Sequence, residues 1–171
     1  VLVGDITALV DVGSGIDTSN GQLEAGLEAV RDRHGEPAAW SDITHVLISH
    51  GHIDHFGGLG FVLDRTRARV GVHGLDIGVL TNYEERLSIV SSLLRDYLIE
   101  AGLVPEACEG LMDLYLLQKS LFTSARVDFT YESSGMQIGP LRLVHLPGHC
   151  PGQVVVFVDD ILLSSDHVLP N

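Results

Sequence analysis

Apolar positions along the chain switch between the two-residue period of strands and the 3.6-residue period of helices. Ile6 to Val12 is an apolar, β-branched run ending at Gly13, which predicts a buried strand. Leu23, Leu27 and Val30 follow at helical spacing behind the cap cluster Thr18-Ser19-Asn20-Gly21, and Gly35 and Pro37 end that helix. Ile43 to Ser49 is short enough to be a strand. Phe56 to Thr66 reads as helical, opening with Gly57-Gly58, and Ala68 to His73 as a strand.

The middle of the chain changes character. Thr81 to Ala101 places Leu87, Val90, Leu93, Leu94, Tyr97 and Leu98 on one helical face, with Gly102 as its stop. Pro105 starts a second helix, continued by Leu111, Leu114, Tyr115 and Gln118. From Val127 onward the pattern returns to strands: Met136 to Ile138, Leu141 to Leu146, Gln153 to Val158 and Ile161 to Leu163, with a tight turn at Asp159-Asp160. No repeat or linker is visible. The helical pair, residues 80–122, therefore reads as an insertion into one α/β domain spanning 1–171.

Composition narrows the function classes. The chain has 171 residues, 45% of them hydrophobic, enough for a substantial core. No apolar run is long enough to cross a bilayer, and Val1 to Asp11 lacks the basic leader of a secretory signal. A net charge of −13 repels phosphate backbones and argues against nucleic acid as a partner. Cys108 and Cys150 do not make a disulfide framework, which favours a reducing cytoplasm. A small-molecule substrate is the expectation that remains.

Nine histidines are the unusual feature. His50-Gly51-His52-Ile53-Asp54-His55 directly follows a predicted strand. In extended chain His50 and His52 point the same way, and a helix starting there swings Asp54 and His55 toward the same centre. Four imidazole and carboxylate donors in six residues suit a borderline metal ion. Leu146-Pro147-Gly148-His149 and Ser164-Ser165-Asp166-His167 each end another apolar strand, where α/β folds place their sites.

These segments resemble the metallo-β-lactamase superfamily, most closely its glyoxalase II-like and lactamase-B-like hydrolases. The resemblance rests on the run 50 to 55, on Pro147-Gly148-His149 with Pro151-Gly152, on Ser164-Ser165-Asp166-His167, and on Asp11-Val12-Gly13 near the start. It implies a partial αββα sandwich with a helical insertion. It implies that His50, His52 and His149 hold a first metal, that Asp54 and His55 hold a second, and that Asp166 bridges them. Zinc, one or two ions, is the expected metal, with iron or manganese as alternatives. The implied reaction is hydrolysis of a thioester, lactone or other ester by a metal-bound hydroxide, with Asp54 orienting it and passing a proton. The alternatives are an iron-dependent sulfur dioxygenase, using His50, His149 and Asp166, and a non-catalytic metal-binding module.

Several positions depart from or add to that pattern. No residue matches the family's last histidine, and little precedes Ile6, so the chain reads as a piece incomplete at its C-terminus. An unfinished sheet edge would invite pairing into a homo-oligomer. Cys150 and Gln153 occupy places where other small or polar residues are commoner, and Ser165 replaces a usual glycine. His45, His73, His145 and His167 read as strand-edge or supporting residues, and His34 as a helix C-terminal residue. Tyr83, Tyr97 and Tyr115 are either pocket walls under a helical lid or packing residues of the helix pair.

Overall fold

A computed structural model of the chain describes residues 1–36 and 38–169, with the Gln118 side chain left aside. Pro37, read above as the helix break, lies outside the described residues. The chain divides into two compact units, Val1–Ile77 with Arg126–Asn171, and Gly78–Ala125.

The first unit holds two sheets. One has the order β1 (Leu2–Val3), β2 (Ile6–Val10), β3 (His45–Leu47), β4 (Arg69–Val72) and β5 (Phe129–Thr130). β1 pairs antiparallel with β2, and the remaining pairs are parallel. The other sheet is antiparallel throughout: β6 (Gln137–Ile138), β7 (Leu141–His145), β8 (Val154–Val158) and β9 (Ile161–Leu163). Ala8 and Leu47 from the first sheet pack in one buried cluster with Leu141, Leu143, Val154 and Val156 from the second. Each of the larger side chains contributes about 1.5–3 kcal/mol by leaving water. Tyr131, fully buried, brings its hydroxyl within 2.8 Å of the carbonyls of both Ile48 and Gly71, locking the end of β5 against β3 and β4.

Helix α1 (Ser19–His34) stops at Gly35, whose φ of 67° lets its N–H reach the Arg31 carbonyl. The other helix predicted in this unit is broken in two: α2 (Ile53–Phe56) starts earlier than expected, and α3 (Leu59–Leu63) follows after Gly57-Gly58. The interruption has a tertiary cause. Gly58 N–H donates to the Gly13 carbonyl at 2.9 Å, and a Cβ at Gly58 would collide with the Val12 carbonyl. The strand expected to reach Val12 ends at Val10, because Asp11 turns to a φ of 60°.

The second unit contains α5 (Tyr83–Glu100) and α6 (Pro105–Lys119). A short helix, α4 (Ile77–Thr81), precedes them. The face expected to be buried on α5 is only partly so: Leu87, Leu94 and Leu98 turn inward, whereas Val90, Leu93 and Tyr97 are exposed. On α6 the exposed residues include Leu111 and Leu114, while Cys108 and Met112, four apart, are buried. Helical spacing alone does not choose which side of an apolar helix finds a partner. The Tyr83 hydroxyl donates to the Lys119 carbonyl at 3.1 Å, so this tyrosine packs the helix pair; Tyr115 is half-buried. Among the described residues, no helix is long and apolar enough to cross a membrane.

Candidate metal centre

β3 delivers the first donors. Ile48, Ser49 and His50 follow it as buried residues, and Val154 N–H donates to the Ser49 carbonyl at 2.9 Å, so β8 arrives beside the same loop. His52 takes the extended N-cap position of α2 (φ −91°, ψ 145°), and its first turn carries Asp54 and His55. The β7–β8 loop presents His149, and a short helical turn after β9 presents Asp166.

The ligand atoms of His50, His52 and His149 all lie within 4.8 Å of one another, as do those of His50, His55 and Asp166. His52 Nδ1 is 3.0 Å from His50 Nε2 and 2.9 Å from His149 Nε2. A ring nitrogen carries either one proton or one lone pair, so His52 Nδ1 can make one good hydrogen bond with the two nitrogens facing it. The other is left unpaired. A cation at the centre uses all three lone pairs, and the spacing is near the roughly 3.3 Å edge of a tetrahedral ion with bonds of ~2.0–2.1 Å. The donor set therefore fits a borderline divalent metal. Asp166 joins the two groups, with Oδ1 3.4 Å from His55 Nε2 and Oδ2 3.3 Å from His149 Nε2.

Asp54 belongs to neither group. Its side chain is 71% exposed, with Oδ2 3.6 Å from His55 Nε2, which puts it on the rim.

Asp11 and Ser49 form a supporting layer whose role the sequence reading did not assign. Asp11 accepts the Ser49 N–H and hydroxyl, each at 2.7 Å, and the His55 Nδ1 proton at 2.8 Å. The His55 tautomer is thereby set with Nε2 toward Asp166. Ser49 Oγ also lies 3.1 Å from His50 Nδ1 and 2.7 Å from Ser165 Oγ. Ser165 holds a φ of 46°, the conformation that makes glycine usual there. The resemblance at Asp11-Val12-Gly13 was the signal that pointed to this layer.

The remaining histidines stand outside both groups. His73 and His145 stack with ring centroids 3.9 Å apart, His73 Nε2 lies 3.2 Å from Glu132, and His145 Nε2 donates to the Pro151 carbonyl at 2.8 Å. His45 lies 2.9 Å from Thr44 Oγ1 through Nδ1. His167 sits in the turn with Asp166, and His34 in the last turn of α1.

Proton affinities follow from this packing. Burial, then the charges of His55 and His52, lower the His50 pKa to about 4, against the opposing pull of Asp11 and Asp166. His52 is lowered by burial and by His149. Burial also acts to lower His55, but the Asp11 hydrogen bond and the surrounding carboxylates outweigh it and the pKa is raised. His50 and His52 are thus held neutral near pH 7, the state a metal requires.

Fold and donor geometry together define a two-sheet α/β chain with a histidine–carboxylate centre at its strand ends. The chain belongs to the metallo-beta-lactamase superfamily, whose family model matches residues 1–171. Curated protein sequences contain no match to it. Solved structures do. A metallo-beta-lactamase family protein of Thermus thermophilus is 21% identical at a TM-score of 0.67, over 98% of this chain and 52% of that one. The FEZ-1 metallo-beta-lactamase of Legionella gormanii is 20% identical at 0.54, over 91% and 48%. TTHA1623, in a di-iron-bound form, is 19% identical at 0.53, over 95% and 63%. The chain thus spans roughly half to two-thirds of the length of these structures. At such identities they establish the fold.

Proposed function

We propose that the chain carries the metal centre of a hydrolase that cleaves a thioester, lactone or other ester of a small molecule. The observation that carries this reading is the convergence of three imidazole nitrogens on one point, with Asp166 linking them to the second group. His50, His52 and His149 would hold one zinc ion, and His55 and Asp166, with Asp54 at the rim, a second. Such ions lower the pKa of a water ligand toward neutrality and polarise a substrate carbonyl. The chain's own residues do the rest. Asp11 and Ser49 hold His55 and His50 in fixed orientation. Asp54, exposed beside His55, is placed to accept a proton and return it to the leaving group.

The test is metal content and turnover of the full-length protein. Chelator-sensitive cleavage of a chromogenic thioester or lactone, restored by zinc, is expected. His52→Ala should lose tight binding of the first ion and reduce turnover by roughly 100-fold or more, since two imidazoles cannot replace three. Cleavage indifferent to chelator, or His52→Ala binding metal as tightly as the parent, would overturn the reading. One iron per chain with no hydrolysis would select the sulfur dioxygenase instead.

A further inference from the structure

Asp76 lies four residues beyond β4, is only 2% exposed, and faces both histidine-bearing loops. Its Oδ2 accepts the N–H of Gly51, between His50 and His52, at 2.8 Å. Its Oδ1 accepts the N–H of Gly152 at 3.1 Å. The Cys150 thiol, next to His149, points at the same carboxylate, with Sγ 3.4 Å from Oδ2 and 3.7 Å from Oδ1. A Cβ at Gly152 would collide with the carboxylate, so the approach depends on glycine at that place. One buried anion thus gathers donors from segments about a hundred residues apart.

We infer that Asp76 is a positioning residue: its carboxylate clamps the 50–52 loop to the 149–152 loop and sets the spacing at which His52 and His149 face one another. The inference rests on the reading that these histidines hold metal. A buried carboxylate satisfied by backbone N–H groups is a strong, short-range tie. Gly51 adjoins two of the histidine donors, and Cys150 adjoins the third. Rotation of His52 and His149 is free to follow side-chain torsions, but the separation of their backbones is not. The clamp consists of protein atoms only, and preorganisation of the site without an ion is its expected consequence. Cys150, read from sequence as a residue in an uncommon place, gains a role as a donor to the clamp.

The test compares Asp76→Asn with the parent full-length protein, using zinc and cobalt(II) as probes. Asparagine keeps the volume but presents an NH2 group where one donor now points. The expected result is a first-site affinity roughly 10- to 100-fold weaker, the range found when supporting partners of metal ligands are removed. The cobalt(II) absorption band should shift in position or intensity. A purely structural role would lower the melting temperature and leave the affinity and the spectrum of the folded fraction unchanged, which would overturn the inference. Hydrogen exchange of the metal-free parent gives a second measurement that needs no variant. The Gly51 and Gly152 amides should be protected before metal is added, and rapid exchange of both would also overturn it. A parent protein that binds no metal would instead sink the hydrolase reading, so the two failures are distinguishable.

Discussion

Asp11 shows how much chemistry one residue can hold away from the donors themselves. It adopts a φ of 60°, uncommon for a residue with a Cβ, and in that conformation its carboxylate receives two bonds from Ser49 and one from His55. Asp11→Asn should therefore weaken the second metal equivalent by about 10-fold or more while the first changes less, as read by competitive titration. Equal weakening of both would show that Asp11 acts on the loop as a whole. His50 supplies a pH prediction for the metal-free protein. Its folded pKa is about 4 against 6.5 in the unfolded chain, so between those values the unfolded chain binds a proton that the folded one refuses. Stability should fall as pH drops through that window, by at most about 3 kcal/mol from this residue. His55 acts in the opposite sense: its folded pKa is raised, so its contribution is full below the unfolded value and is lost as pH rises through the folded one. Melting curves of metal-free parent and His50→Gln should converge toward about pH 4.5. A constant gap between them would contradict the assignment.

At the scale of elements, the break between α2 and α3 separates a local from a tertiary account. Read as one continuous helix, Phe56 to Thr66 predicts that Gly58→Ala stabilises the protein by about 1 kcal/mol. In the structure the added Cβ would strike the Val12 carbonyl, so the same substitution should destabilise by about 2 kcal/mol or more, measured by denaturant unfolding. The strands were largely legible. Ile161–Leu163 has the bounds read from sequence, and β4, β6, β7 and β8 begin or end within a residue of theirs. Apolar runs between turn residues report that an element is buried. The helices of the second unit were legible as helices, with Gly102 at a φ of 91° ending the α5 region, yet their buried faces were not. An apolar stripe wider than one partner can cover leaves the choice of face to packing.

For the whole molecule, the centre couples two sheets. Donors come from the ends of β3, β7 and β9, and the common core holds those ends at fixed separation. Metal that binds only the folded form must stabilise it, by about 2.7 kcal/mol at a free concentration roughly 100 times the dissociation constant. For a chain of this length that is a rise of roughly 5–10 °C in melting temperature. Calorimetry with zinc and then chelator checks it; a metal-independent midpoint would mean that the ion does not engage the folded centre.

The donors His50, His52, His149 and Asp166 could be chosen from sequence because each follows an apolar run that had to be a strand, and strand ends in α/β folds meet. The same reasoning could not separate Asp54, which stays at the rim, from His55, which turns inward one residue later. Nor could it find Asp76, an isolated acid 25 residues from one partner and 76 from the other. Local periodicity records which side of an element avoids water. Which side chains converge depends on strand order and register, and those are set by contacts between residues far apart in the chain. Apart from the place of Asp54, the candidate donors were therefore legible in the sequence, whereas their grouping, together with the carboxylates that hold them there, was decided by the tertiary structure.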